Sequence, residues 1–297
     1  MERAPDWAPA WFALAEAKEA LGDRGGAAAA FRAALAADPS DALGAAPRLA
    51  IAGGEATRKL PSAYVAQLFD GYAARFERHL VVGLGYRGPA LIAAAIETAA
   101  PGRRFARALD LGCGTGLAAA PLRGRLERLE GVDLSPAMLA RAQQRELYDA
   151  LDEADMVDHL RRFVAAFDLI VAADALVYCG DLAPAFAAAA TALVPGGLFA
   201  FTVEAQSAEG YCLRPTMRFT HARRYVEAVA AAAGLTPLLV DAASARREGE
   251  ADAPGLIAAF ARPDGLNPNP QGRCGCALPN RFRTCGSRPA ADPREPA

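Results

Sequence analysis

Two short stretches concentrate the residue types able to do chemistry. Ala108-Leu109-Asp110-Leu111-Gly112-Cys113-Gly114-Thr115-Gly116 runs from apolar residues into an acid and then into alternating glycines. Leu129-Glu130-Gly131-Val132-Asp133-Leu134-Ser135 ends a second apolar run on another acid. Glycines let the backbone turn tightly and approach a ligand. A helix opening just after them presents free amides. A carboxylate at the place of Asp133 can accept both hydroxyls of an adenosine ribose; taken alone, it also reads as a helix-capping acid. A dinucleotide fingerprint, G-x-G-x-x-G, would need its third glycine at position 117. Leu117 stands there, and Asp110 inside the strand end is atypical for such a site. Ser135-Pro136 then starts a helix, with Met138 in its first turn, where it would flank an adenine ring.

The elements that must hold these residues alternate. Strands are predicted at 105–111, 128–133, 168–173, 198–203, 236–240 and 256–261. Helices are predicted at 62–79, 86–99, 136–144, 182–193 and 221–233. Alternation of this kind defines an α/β fold, a doubly wound and mostly parallel sheet. Residues 1–57 differ: Trp11, Leu14, Ala15, Ala27, Phe31, Ala34 and Pro39 recur at the spacing of one tetratricopeptide repeat, W-x2-L, A-x3-F, then Pro. An alanine-rich helical hairpin without repeat ancestry fits the same residues. Such a hairpin cannot bury its own face and must pack on the next domain or on a partner. From 263 to 297 the composition changes abruptly. All three Asn of the chain sit there, and no apolar period remains, so this tail is expected to be disordered. Cys274, Cys276 and Cys285 fit no common zinc spacing, and no metal is expected.

The glycine turn and both acids resemble the class I S-adenosylmethionine-dependent methyltransferases, and further motifs follow in order. Ala154-Asp155-Met156 resembles the family's step after the third strand. Phe167–Asp174 resembles its fourth-strand motif, and Leu193-Val194-Pro195-Gly196-Gly197 its turn into strand five. The likeness covers about 100 to 262 and implies a Rossmann-like, seven-stranded sheet that binds S-adenosyl-L-methionine. Within the family, the chain looks closest to a bacterial group of predicted methyltransferases carrying an N-terminal tetratricopeptide segment, on the residues Tyr64–Leu80, Leu84–Pro89 and Glu146–Asp149. Carried over, Asp110 would neighbour the methionine ammonium, and Gly112, Cys113, Gly114 and Gly116 would form the floor. Asp133 and Leu134 would meet the ribose, Met138, Asp155 and Met156 the adenine. Asp174 would lie near the methionine or the acceptor. The domain would run from 58 to 262, with 58–99 a helical lid.

For a general base, His221 is the best candidate by type, at the start of the helix after strand five. Tyr178, Tyr211 and Tyr225 are expected in the same pocket, and His159 on the surface. After Asp174 comes Ala175-Leu176-Val177, not the Pro-Pro-aromatic motif used for planar amino nitrogens. A small-molecule acceptor is favoured. A protein acceptor recruited by the repeat, or a non-catalytic binding protein, are the alternatives.

Composition narrows partners further. The net charge of −2 gives no bulk field toward nucleic acid or anionic membrane, though Arg223-Arg224 and Arg246-Arg247 are local basic pairs. The hydrophobic share of 53% is misleading, since about a quarter of all residues are Ala. The longest uncharged run, Leu182–Val203, is split by Pro195-Gly196-Gly197, so no membrane span is expected. The N-terminus lacks a signal-peptide layout, and six Cys without a framework spacing fit a cytoplasmic chain.

Overall fold

The computed structural model describes residues 6–53, 56–249 and 251–264. The expected disordered tail beyond 264, and the three cysteines weighed there for zinc, lie outside the described residues.

The chain begins with three helices, α1 (Ala8–Ala20), α2 (Arg24–Ala37) and α3 (Ala45–Ile51). Asp23 caps α2 by accepting the Gly26 amide at 2.8 Å. Ala15, Ala27, Ala30, Phe31 and Ala34 close a small core between the helices. Small side chains at the contact let the two backbones approach, and Phe31 with Trp11 and Leu14 supplies the bulk. The hairpin packs onto α3, which meets the main domain at its sixth strand.

Two helices follow, α4 (Ser62–Tyr72) and α5 (Gly88–Ala99), joined by a wide turn of helix at Arg78–Gly83. The sheet then begins with β1 (Phe105–Leu111), α6 (Ala119–Leu122), β2 (Leu126–Asp133), α7 (Pro136–Gln143), β3 (Ala150–Glu153), α8 (Met156–Leu160) and β4 (Phe167–Ala172). It continues through α9 (Ala183–Ala192), β5 (Leu193–Gln206), β6 (Tyr211–Leu213), β7 (Phe219–Ala222), α10 (Arg223–Ala232) and β8 (Thr236–Ala242). A short pair, β9 (Arg247–Glu248) and β10 (Ala251–Asp252), precedes β11 (Gly255–Ala261).

Seven strands form the main path, ordered β3-β2-β1-β4-β5-β11-β8. The pairs β1–β2, β1–β4, β2–β3 and β4–β5 are parallel, while β11 runs antiparallel to both neighbours. This is the predicted doubly wound α/β fold, with one addition. β5 spans 14 residues and outruns β4. Its last residues, Glu204–Gln206, pair with β7 instead, and β6 pairs with β7, so the sheet holds nine strands. The uncharged run divides into a helix and a strand, but the break falls at Ala192–Leu193 and Pro195-Gly196-Gly197 lies inside β5 rather than between the two pieces. No helix among the described residues is long and apolar enough to cross a membrane.

The two faces of the sheet carry separate cores. One contains Ile92 and Ile96 of α5 with Phe105, Leu129 and Leu169. The other packs Ala185, Phe186, Ala188, Ala189 and Ala192 of α9 against Phe199, Phe201 and Phe260. Alanines bring α9 close to the sheet. The four phenylalanines fill the remaining space, with ring centroids 4.9 to 6.4 Å apart; full burial of each contributes about 1.5–3 kcal/mol.

Candidate active site

The carboxyl ends of β1, β2 and β4 lie side by side at the point where strand order reverses, the place where open α/β sheets receive ligands. A cavity of about 420 Å³ opens there. A smaller one of about 40 Å³ adjoins it and shares Phe76, Tyr86, Gly112, Gly114 and Ala173.

Gly112 and Gly114 turn the chain out of β1 with positive φ, +61° and +54°. Gly112 is also required by packing: a Cβ there would sit 2.6 Å from that of Ala175. Asp110, at the end of β1, is 1% exposed and lines the smaller cavity with Cys113. It accepts the Tyr148 hydroxyl at 2.6 Å. Burial pushes its carboxyl up to about 7; the Tyr148 bond opposes the shift and the Asp133 charge adds to it. Burial likewise pushes the Cys113 thiol up, well above its ordinary value.

Asp133 ends β2. Its Oδ2 accepts the Gly114 amide at 2.9 Å and its Oδ1 the Ser135 amide at 2.9 Å. Burial raises its carboxyl, and these amides hold it back. Each oxygen keeps a further lone pair for a ligand hydroxyl. The carboxylate thus ties the glycine turn to the start of α7, where Ser135 caps the helix through the Met138 amide at 3.1 Å.

Asp133, Leu134, Asp155, Met156, Asp174 and Tyr178 all line the larger cavity with Gly112 and Gly114. Asp155 caps α8, accepting the Val157 amide at 3.0 Å, and pairs with Lys59. Burial alone would raise the Asp155 carboxyl, but the Lys59 ammonium outweighs it and holds the group below the usual range. Asp174 sits in the left-handed region at φ +61°. It binds Arg218 Nη2 at 2.6 Å and its amide donates to Thr202 Oγ1 at 2.8 Å.

Five expectations are corrected. Met138 does not flank the cavity; it is 1% exposed and faces the core beneath α7. Gly116 closes the turn, its amide on the Cys113 carbonyl at 2.9 Å, and does not reach the cavity lining. His221 lies in β7, not at a helix start, and is fully buried. Its Nε2 meets the Cys179 carbonyl at 2.9 Å, and burial pushes its imidazole down to about 4. A neutral ring that donates Nε2–H to a carbonyl and is walled off from the cavity cannot take a proton from an acceptor there. Tyr211 and Tyr225 pack around His221, with centroids 6.2 and 6.0 Å from its ring, and are not on the cavity wall. His159, expected on the surface, is 4% exposed and bonds Asp152 at 2.9 Å.

The cavity wall includes residues the sequence reading passed over. Lys59, one of two lysines in the chain, comes from a strap at 57–61 that pairs with the segment after β4, where the Leu60 amide meets the Tyr178 carbonyl at 2.9 Å. The predicted lid covers the cavity with Phe69, Tyr72, Phe76 and His79. It is latched by Asp70 to Ser135 and the Ala137 amide, and by Glu77 to Arg145 at 2.7 Å. Its His79, whose Nδ1 meets the Tyr72 hydroxyl, is the histidine on the cavity wall. Arg218, Arg246, Tyr86 and Thr216 complete the wall, Tyr86 also lining the smaller cavity. Arg246 belongs to a basic pair visible in the sequence, but nothing local to it points inward.

Residues 109–201 match the family model described as a methyltransferase domain. A malonyl-[acyl-carrier protein] O-methyltransferase of Salmonella typhimurium is 32% identical over 142 residues, 48% of this chain and 54% of that protein. The chain spans about half the length of the relatives it matches. Among solved structures, the 1,6-didemethyltoxoflavin-N1-methyltransferase of Burkholderia thailandensis, with bound 1,6-didemethyltoxoflavin and S-adenosylhomocysteine, superposes with a TM-score of 0.55 at 19% identity. The overlap covers 71% of this chain and 93% of that one. The [4+2]-cyclase SpnF superposes with a TM-score of 0.54 at 20% identity, over 69% of this chain and 97% of that one. Residues 109–201 thus match a methyltransferase-domain model, and the sheet has the Rossmann-like fold of these solved structures. The cyclase shows that this fold alone does not fix the reaction.

Proposed function

We propose that this protein is an S-adenosyl-L-methionine-dependent methyltransferase acting on a small-molecule acceptor. The observation that carries the reading is the pair Asp110 and Asp133, set at the ends of adjacent strands on either side of the glycine turn and opening on contiguous cavities. Asp110 is a deeply buried carboxyl with no ion pair among the described residues. It fits a ligand that brings its own cation, as a methionine ammonium does. The free lone pairs of Asp133 fit a ribose diol, and Leu134 and Met156 offer apolar surface to a purine.

The cofactor supplies a methyl group on a sulfonium, already activated toward displacement. The chain's own residues align and desolvate. Gly112 and Gly114 allow close backbone approach, Asp110 and Asp133 fix the ammonium and the ribose of the cofactor, and the lid residues Phe69, Tyr72 and Phe76 exclude water. Alignment of this kind contributes about 7–11 kcal/mol in favourable cases. Tyr178, on the wall beside Arg218, is placed to orient the acceptor rather than to remove its proton. Burial raises its hydroxyl above the ordinary value.

The solved neighbour with bound 1,6-didemethyltoxoflavin supports a metabolite-sized acceptor, and the relatives named for malonyl-[acyl-carrier protein] support a small acyl group, there borne on a carrier protein. A second reading, methylation of a protein recruited by the tetratricopeptide-like hairpin, draws on Trp7 and Leu21, apolar and 59% and 85% exposed near α1. We assign the chain to the cytoplasm and to the bacterial group of methyltransferases with such a hairpin. The test is calorimetric titration with S-adenosylmethionine and S-adenosylhomocysteine. Micromolar binding is expected, and none at millimolar ligand overturns the reading.

A further inference from the structure

Four charged side chains meet beside the cavity: Asp174, Glu204, Arg218 and Arg246. Arg218 is bonded through all three of its guanidinium nitrogens. Its Nη2 donates to Asp174 at 2.6 Å, its Nη1 to the Tyr178 hydroxyl at 3.1 Å, and its Nε to Glu204. Arg246 differs. Its Nη2 donates to Glu204 at 2.7 Å, but its Nε is shut off from solvent and has no acceptor. The side chain is 11% exposed and lines the cavity.

A buried guanidinium N–H without an acceptor is costly and uncommon. Here the backbone holds it in place. The Arg87 amide donates to the Ala245 carbonyl at 2.7 Å and the Arg247 amide to the Leu84 carbonyl at 2.8 Å. Arg246 is thereby fixed between two bonds that tie it to the segment carrying Tyr86, another wall residue. The Tyr178 hydroxyl accepts from Arg218, so its own proton remains to donate.

We propose that the acceptor is a small organic acid whose carboxylate is received by Arg246 Nε and the Tyr178 hydroxyl; this rests on the methyltransferase reading above. Two guanidiniums and two carboxylates cancel within the cluster. One added carboxylate is then balanced by the positive charge of the cofactor, whereas a phosphate dianion would leave an excess charge in a largely apolar chamber. The acid's body would lie along Phe69, Tyr72 and Leu80. A carboxylate is ionised at neutral pH. Transfer to it forms an O–CH3 bond and breaks the S–CH3 bond, whose electron pair stays on sulfur, and no proton moves. That agrees with His221 being walled off from the site. Opposite charges vanish in this step, which a dry, apolar cavity favours.

The test is calorimetric titration of the full chain with hexanoate and phenylacetate, with their primary amides, and with hexyl phosphate. Each is run with and without saturating S-adenosylhomocysteine. The acids are expected to bind at least tenfold more tightly than the amides. Arg246→Met should remove that preference while S-adenosylhomocysteine still binds. If Arg246→Met does not fold, the acid-to-amide ratio of the natural chain decides alone. Equal binding of acids and amides, or tighter binding of hexyl phosphate, overturns the proposal. Failure of S-adenosylhomocysteine to bind would instead overturn the underlying methyltransferase reading, and the runs without it separate the two.

Discussion

Tyr148 donates its hydroxyl proton to Oδ2 of Asp110 at 2.6 Å, and among the described residues no ion pair reaches that carboxyl. A carboxyl so placed stays half-protonated near neutrality, because burial raises it to about 7. The unfolded chain ionises the same group near 3.8. Between those values the unfolded state binds fewer protons than the folded state, so stability falls as pH rises. A shift of about three units corresponds to an order of 4 kcal/mol.

Asp110→Asn is therefore expected to raise the stability of the free protein at pH 8, read by urea denaturation, and to weaken cofactor binding. A cationic ligand drives the proton off Asp110. Titration with S-adenosylhomocysteine at pH 7, in two buffers of different ionisation enthalpy, should show roughly half a proton released. The release should vanish at pH 8.5. Proton uptake at pH 7 would contradict the placement of the ammonium beside Asp110.

Asp133 carries both the turn and the ligand. Asp133→Ala removes the acceptor for the Gly114 and Ser135 amides as well as the ribose contact. Each bond to a carboxylate is worth about 1.5–3 kcal/mol. Affinity for S-adenosylmethionine should fall at least tenfold, together with a lower urea midpoint. Unchanged affinity in calorimetry would refute the ribose assignment.

The parts of this site that were legible in sequence are local. β1 runs from Phe105 to Leu111, as predicted, because an apolar stretch ends on Asp110 and a glycine turn. The turn shape follows from Gly112 and Gly114, and Ser135-Pro136 marks a helix start without further context. What was hidden is tertiary. Lys59, Arg218 and Arg246 come from separate segments at 57–61, 214–218 and 244–248, and only the folded chain brings them to one cavity. Met138 lies in the first turn of α7, as expected, but on the buried face that it shares with Ala142 four residues on. His221 was misread for another reason. β7 has four residues, too few to show alternation, and it exists because β5 extends past β4 and needs a partner.

His221 supplies stability rather than catalysis. Its imidazole is depressed to about 4, below its ordinary 6.5. The unfolded chain takes up the proton first, so this group's contribution is full above about 6.5 and is lost as pH falls toward 4. His221→Gln should flatten that loss in thermal melts between pH 7 and 4. The pH profile of methyl transfer should keep its shape. Loss of an acidic limb, the fall in rate at low pH, in the variant would return His221 to a role as base.

Gly112 and Gly114 make opposite demands, and their alanine variants should separate fold from site. Both have positive φ, so an L side chain at either costs about 1–2 kcal/mol. At Gly114 a Cβ meets no protein atom within 4 Å, and the residue lines the cavity. At Gly112 the Cβ would lie 2.6 Å from that of Ala175, which is 6% exposed and cannot retreat without moving Asp174. Overpacking adds about 1–3 kcal/mol to the backbone cost. Gly112→Ala should thus lower stability by about 2–5 kcal/mol in urea denaturation. Gly114→Ala should cost only about 1–2 kcal/mol, yet weaken S-adenosylhomocysteine binding tenfold or more, because its methyl enters space the ligand needs. The reverse ordering, with Gly114→Ala the less stable and the tighter binder, would place the cofactor elsewhere than over this turn.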